Sequence, residues 1–335
     1  ILQVPPRRCR AIDLPPDAHA LTPMSALRTP RWKARVAGAL AVLFWGASFA
    51  WVKVGLREFE PVSLLALGFG IGTGVLWFLA LGSARDSLGI RLADVGPLVG
   101  LGLIGVTLQQ ALQTAGILLG SASAASWLSS LAPAFIVLLA WPLLGERLNP
   151  LRAIGILVAF LGAALVSRTP GSSSEPGNPS AAWLVIASAI VWAVYSILGK
   201  GLSSRRSPIV TTAWGMTFGW LALAVAFVAQ RGWTDLGAVS SLGWITVTLL
   251  GVASTGLAYG LYFYALNTAE AALAAALQYL EPLITMVFAA WLLQEPWTVA
   301  MLAGGALILV GVWIVDRAGT RTLPSPLQGE GQGGG

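Results

Sequence analysis

Glu281 and Pro282 stand in LQYLEPLITMVFAAWLL, residues 277–293, a run otherwise built of side chains that suit hydrocarbon. A carboxyl group near the middle of a bilayer costs roughly 2.5–3.5 kcal/mol on insertion scales, so it must face protein or water rather than lipid. Pro282 removes a backbone donor and frees a carbonyl one turn back. Such a break is tolerated beside a cavity or within protein, not against lipid. Gln278 precedes Glu281 by three positions and shares its helical face. Two readings of Glu281 stand side by side. It is an anchor for a substrate ammonium, a proton-coupling group, or both; or it is a structural partner, to Lys53 or Lys200, or a buried protonated acid.

Other polar groups sit in equally apolar company. Gln109, Gln110 and Gln113 cluster in one stretch, with Gln109/Gln113 and Gln110/Gln113 on shared faces. Amides carry donors and acceptors, which suits a zwitterion, and equally suits bonding between helices. Lys53 and Lys200 lie near the ends of apolar runs. Snorkelling accounts for both, and steering of carboxylates at a cavity mouth is the functional reading, more open for Lys53. Trp45, Trp127, Trp192, Tyr195, Tyr259, Tyr262 and Tyr279 fall well inside apolar runs. They are expected to line a cavity or to fill a core. Trp32, Trp141, Trp183, Trp233 and Trp297 fall near run ends and read as an interfacial belt. GFGIGTG at 68–74 lacks a preceding strand and a following Lys-Ser/Thr, so it is no phosphate loop. Its glycines read as helix-packing GxxxG pairs.

These groups need elements to position them. Of 335 residues, 56% are hydrophobic and 10% charged, with mean hydropathy +0.77. Soluble domains carry about 25% charged residues, so this is an integral membrane protein. The basic pI of 10.0 reflects Lys and Arg at the ends of apolar runs, not a nucleic-acid surface. One cysteine, Cys9, and one histidine, His19, both in a polar N-terminal stretch, exclude an intramolecular disulfide and a cysteine/histidine metal cluster. No cofactor is expected. Neither the polar first 35 residues nor the tail from Leu323 contains a span; the C-terminal stretch 317–335 reads as disordered. Met24 begins a stretch that reads like a natural start, which would make 1–23 an upstream extension.

A helix of roughly 20 apolar residues crosses the bilayer core. Ten such runs are present: 36–56, 61–82, 95–117, 120–143, 150–167, 181–201, 209–229, 241–264, 270–293 and 298–316. The third and fourth are expected to separate at Gly120-Ser121. With both termini inside, 16 Lys and Arg fall on the cytoplasmic side and 4 outside, namely Lys53, Arg57, Arg168 and Arg231. The positive-inside rule selects that orientation.

The chain also repeats itself. LLGERLNPLRAIGILVAFLGAALV (143–166) aligned on LLQEPWTVAMLAGGALILVGVWIV (292–315) gives six identities, including Glu146/Glu295, Gly155/Gly304 and Gly162/Gly311. The same offset pairs Pro133 with Pro282, the expected hinges; a nearly equal one pairs Trp45 with Trp192 and Lys53 with Lys200. Glu146 and Glu295 recur at hairpins and read as capping or pairing residues. Residues 36–167 and 181–316 thus form two five-helix halves, joined by the linker 168–180, RTPGSSSEPGNPS. Five is odd, so the second half enters the membrane inverted. The fold expected is all-α, with ten transmembrane helices in two inverted five-helix repeats, an arrangement of carriers that alternate access around a midplane site.

FWGASFAWVK at 44–53, SASAASWLSSLAPAFIVLLAWPLLGERL at 121–148 and AEAALAAALQYLEPLITMVFAAWLLQE at 269–295 resemble the EamA family of the drug/metabolite transporter superfamily. One departure is that an Arg frequent in the family's second helix is replaced near Gly68. The resemblance implies a multi-pass secondary transporter of a bacterial inner membrane, not an enzyme. It implies export of small metabolites, with neutral and aromatic amino acids the first expectation and nucleosides, sugar derivatives or cationic drugs the alternative. It also implies cavity walls from the first, third, fourth, sixth, eighth and ninth helices. The partners expected are a small-molecule substrate and lipid, with the chain a monomer.

Overall fold

A computed structural model describes residues 31–83, 88–144, 148–168, 178–203, 207–268 and 277–320, and these contain helices and no strand. The long apolar runs fold as α1 (Arg31–Gly55), α2 (Pro61–Ser83), α3 (Leu92–Leu119), α4 (Ala122–Ser129 continuing as Ala132–Leu144), α5 (Pro150–Val166), α6 (Pro179–Ser203) and α7 (Pro208–Ala229). Next come α8 (Ser241–Leu249, a wide turn at Leu250–Leu257, then Ala258–Thr268), α9 (Glu281–Leu293) and α10 (Val299–Thr320). Eight described stretches are long and apolar enough to cross a membrane, and Pro150–Val166 and Glu281–Leu293 are shorter apolar helices. Each of the ten expected runs has its helix. The N-terminal part of the ninth run, 269–276, and the linker residues 169–177 lie outside the described residues.

Local chemistry sets the boundaries. Gly120 ends α3, and Ser121 opens α4 by accepting the Ala124 N–H on its hydroxyl at 3.0 Å, the separation expected at Gly120-Ser121. Asn149 does the same for α5 through Arg152 N–H at 2.7 Å. α5, α6 and α7 each place Pro at the first helical turn, where its missing N–H costs nothing.

Two kinds of irregularity recur at matched positions of the halves. α4 breaks at Ser130-Leu131 before Pro133, and α9 follows a turn at Tyr279-Leu280 before Pro282. The turn bonds correspond one to one: Leu131 N–H to Leu128 O and Leu280 N–H to Leu277 O, then Phe135 N–H to Leu131 O and Ile284 N–H to Leu280 O. α3 and α8 each carry a wide π turn, Leu103–Leu108 and Leu250–Leu257. Such turns inside long helices are frequent at functional sites.

Tight packing uses the repeated glycines. A Cβ on Gly155 would lie 2.7 Å from Gly311 O, and one on Gly304 would lie 2.7 Å from Gly162 O. α5 and α10 therefore cross antiparallel, backbone on backbone, as small-residue interfaces allow. In α2, Gly72 packs on Gly251 and Thr255 of α8 and Gly70 on Trp220 of α7, while Gly74 has nothing within 4 Å. Gly162→Ala should lower stability by about 1–3 kcal/mol through overpacking, because the atoms it meets on Gly304 and Ile308 are backbone. Melting of the purified variant in detergent checks this; an unchanged melting temperature would contradict it.

Outward faces are apolar. Trp32, Trp141, Trp183, Trp233 and Trp297 are all more than half exposed, where an interfacial belt belongs.

Candidate functional site

The helices enclose a cavity of about 760 Å³, within the size range of small-molecule sites. Walls come from α1, α3, α4, α6, α8 and the turn before α9, and also from α2, α7 and the end of α10. Trp45, Gln109, Gln110, Gln113, Pro133, Trp192, Tyr195, Tyr259, Tyr262, Gln278, Tyr279 and Glu281 all border it.

Each is placed by its element. Trp45, in mid-α1, donates its indole N–H to Ser254 O in the π turn of α8 at 3.1 Å. That holds its ring edge-on to Tyr259 (centroids 5.3 Å apart) and tilted against Tyr262 (5.1 Å). Tyr262 and Gln278 share a side-chain hydrogen bond, and Glu281 lies within electrostatic reach of Tyr259. Trp192 and Tyr195 on α6 form a second aromatic pair, centroids 5.1 Å apart. The Tyr195 ring lies where a side chain on Gly105 would be. Gly105 sits in the π turn of α3, so α3 and α6 close tightly there.

The glutamines follow that turn. Gln109 is 5% exposed, and its Oε1 has no hydrogen-bond partner. Gln113 Nε2 donates to Ser129 Oγ at 3.2 Å, tying α3 to the end of the first half of α4. Pro133 has no N–H, so the Ser129 carbonyl one turn back lacks its helical donor; Pro282 does the same to Gln278. Both residues with freed carbonyls border the cavity.

Two expected cavity residues lie elsewhere. Lys53 does not border the cavity: its ammonium donates to Ile117 O (2.7 Å), Leu118 O (2.9 Å) and Gly120 O (2.7 Å), capping the C-terminal end of α3. Three donors meet three carbonyls at the negative end of a helix dipole, so Lys53 neither snorkels nor pairs with Glu281. Trp127 is 1% exposed in the core, its ring against Gly305 and its N–H directed to the Met286 sulfur at 3.2 Å. Pro282, expected with Pro133 as a hinge, is buried in the first turn of α9. The side chain of Lys200 and all of Glu146 lie outside the described residues.

Glu295 completes the α3–α4 hairpin. It is 4% exposed and accepts from Ala122 N–H (2.8 Å), Ser123 N–H (3.0 Å) and Ser123 O–H (2.6 Å). Residues 117–123 are thus held by a cation at a helix C-terminus and an anion at a helix N-terminus. At the same end of the bundle Glu58 accepts from Ser240 N–H (2.7 Å) and O–H (2.8 Å) at the start of α8. The Glu295 and Glu58 bonds thus stitch the two halves together at that end. The cavity wall runs from Val52, Leu64 and Ile117 near that end to Leu101, Gly199 and exposed Asp316 at the other.

Sequence reasoning overlooked Asp316 and the small hydroxyl residues of the wall, among them Ser129, Ser130, Thr211 and Thr212. Nothing in a single sequence separates a wall serine from a packing serine. Ser130 and Ser196 here both bond their own helix carbonyls (Ser126 O, 3.1 Å; Trp192 O, 2.8 Å).

The family model of EamA-like transporters matches residues 32–168 and 179–316, one match per repeat. An uncharacterized transporter of Archaeoglobus fulgidus is 30% identical over 279 residues, 83% of this chain and 97% of that one. A probable terminal-alkyne amino-acid exporter of Streptantibioticus cattleyicolor is 30% identical over 298 residues, 87% and 95% of the two chains. A solved crystal structure superposes with TM-score 0.62 at 23% identity, covering 87% of this chain and 98% of that one.

Proposed function

The chain belongs to the EamA-like transporter family, and from that premise we propose that it exports small metabolites, namely aromatic and other neutral amino acids with broad specificity, by alternating access around the central cavity. The observation that carries this reading is the cavity itself, where aromatic rings, amides and the Glu281 carboxyl group meet between two broken helices at repeat-related positions. Substrate sites between discontinuous helices of matched halves are the pattern of secondary carriers. The similarity to a probable amino-acid exporter supports the same class.

In this reading the second half is inverted and both termini are cytoplasmic. The stitched end then faces outward and the Asp316 end faces the cytoplasm, a state ready to load substrate from inside. Pro133 and Pro282 are the points where α4 and α9 flex. Substrate release outward requires Lys53 and Glu295 to let go of the 117–123 hairpin.

Counterflow in proteoliposomes tests it. Vesicles loaded with one unlabelled amino acid at a time, with no ion gradient, should take up labelled phenylalanine in a saturable, trans-stimulated way. Absence of uptake with every amino acid, from protein that melts cooperatively, would sink the amino-acid assignment and move the weight to nucleosides, sugar derivatives or drugs.

A further inference from the structure

The formal charges on the described cavity wall are all of one sign. Glu281 and the exposed Asp316 both border it, and no Lys or Arg borders it among the described residues. Lys53, the cation nearest in sequence to the wall of α1, is turned away and saturated by three carbonyls. Glu281 has no ion-pair partner among the described residues. A carboxylate removed from bulk water needs a cation or several donors to be stable, and Glu281, half-buried, borders the cavity.

A second acceptor points the same way. Gln109 Oε1 is buried, borders the cavity and has no hydrogen-bond partner. Orphaned buried acceptors are uncommon and call for a donor. Two further acceptors are the Ser129 and Gln278 carbonyls that Pro133 and Pro282 leave without helical donors. Around Glu281 the wall is aromatic, with Trp45, Tyr259 and Tyr262 clustered. Ring faces attract cations and tolerate apolar bodies. Among the described residues a substrate carboxylate would find only neutral donors, in the field of two acids.

We propose that the cavity recognises its substrate by an ammonium group, docked at Glu281 within the Trp45–Tyr259–Tyr262 cluster, and that a substrate carboxylate is not required. Gln109 Oε1 takes a further N–H or O–H of the bound molecule. The ligand class is therefore small amines with an apolar or aromatic body; amino acids qualify through their amino group. This deepens the functional reading above and rests on the cavity being the substrate site.

Competition against labelled phenylalanine in the counterflow assay separates the two ends of the substrate. Phenethylamine and phenylalanine amide carry the ammonium alone; 3-phenylpropionate and N-acetylphenylalanine carry the carboxylate alone. The first pair should inhibit at concentrations no higher than unlabelled phenylalanine needs, and the second pair should not inhibit at tenfold more. Inhibition by the acids, or no inhibition by the amines, overturns the proposal while leaving amino-acid transport standing. Should no amino acid support counterflow, phenethylamine binding is read directly by tryptophan fluorescence of the detergent-solubilised protein. Saturable binding, weakened at least tenfold in Glu281→Gln and severalfold in Gln109→Met, would support ammonium recognition without the amino-acid assignment; no binding would overturn it. Gln109→Met serves where Glu281→Gln does not fold, because it removes an unpartnered buried acceptor rather than a paired one.

Discussion

Glu281→Gln should yield a folded protein that has lost most of its transport. The fold does not draw on the carboxyl group. The turn before α9 is held by backbone bonds, Leu280 N–H to Leu277 O and Ile284 N–H to Leu280 O. The start of α9 is tied to α1 by Thr285 O–H to Gly46 O at 2.8 Å. Glutamine keeps the shape and one acceptor oxygen, and loses the charge. A hydrogen bond to a charged group is worth about 1.5–3 kcal/mol, so the concentration giving half-maximal counterflow should rise roughly tenfold to 150-fold. Melting within a few degrees of the wild type, with that loss, is the expected pair of results. Wild-type counterflow in Glu281→Gln would remove Glu281 from the substrate site, whatever the cavity binds. Glu281→Asp discriminates further, since it keeps the charge but withdraws it by one methylene; partial recovery of affinity is the expected outcome.

The sequence and the structure agree where the signal is local. Ten apolar runs, the Ser121 cap after Gly120 and the breaks ahead of Pro133 and Pro282 each follow from chemistry written within a few residues. The repeat was legible because Pro, Glu, Trp and Lys are costly in lipid and recur in register. The glycines of the repeat proved to be where α5 and α10 touch, so the alignment contained a contact as well as a symmetry. What escaped was anything whose partner is backbone or distant. Lys53 binds carbonyls of residues 117–120, and a carbonyl has no residue type, so nothing in 44–53 could announce it. Trp127 looked like a cavity aromatic; the residue that receives its ring is Gly305, in α10. The π turns escaped as well. They shift the register of α3 ahead of Gln109 without any side-chain signature, and 3.6-residue periodicity cannot anticipate them.

Loss of either charge at the α3–α4 hairpin should destabilise the fold, and the two losses should not add. Glu295 is buried and carries three neutral donors at 2.6–3.0 Å; a hydrogen bond to a charged group is worth about 1.5–3 kcal/mol, and Glu295→Gln should cost an amount of that order because glutamine keeps one acceptor oxygen. Lys53 is partly exposed, and Lys53→Met chiefly strips the Ile117, Leu118 and Gly120 carbonyls, which are part-buried or exposed, so the loss should be about 0.5–1.5 kcal/mol. Both residues act on one seven-residue hairpin, Lys53 from the first repeat and Glu295 from the second. Once either is gone the hairpin has lost its fixed position, and the other has less to hold. Denaturation of Lys53→Met, Glu295→Gln and the double variant should therefore give a double loss smaller than the sum of the single ones by about 0.5–3 kcal/mol, the range for coupled neighbours. Strict additivity would show two independent caps and no clasp. The same variants carry a functional consequence that plain destabilisation does not. With Cys9 replaced by serine and Ser130 by cysteine on the cavity wall, a membrane-impermeant maleimide added outside should label the clasp variants faster than the intact clasp. Equal labelling would mean that the hairpin is held shut by its packing alone, and that Lys53 and Glu295 stabilise the fold without governing which side of the cavity is open.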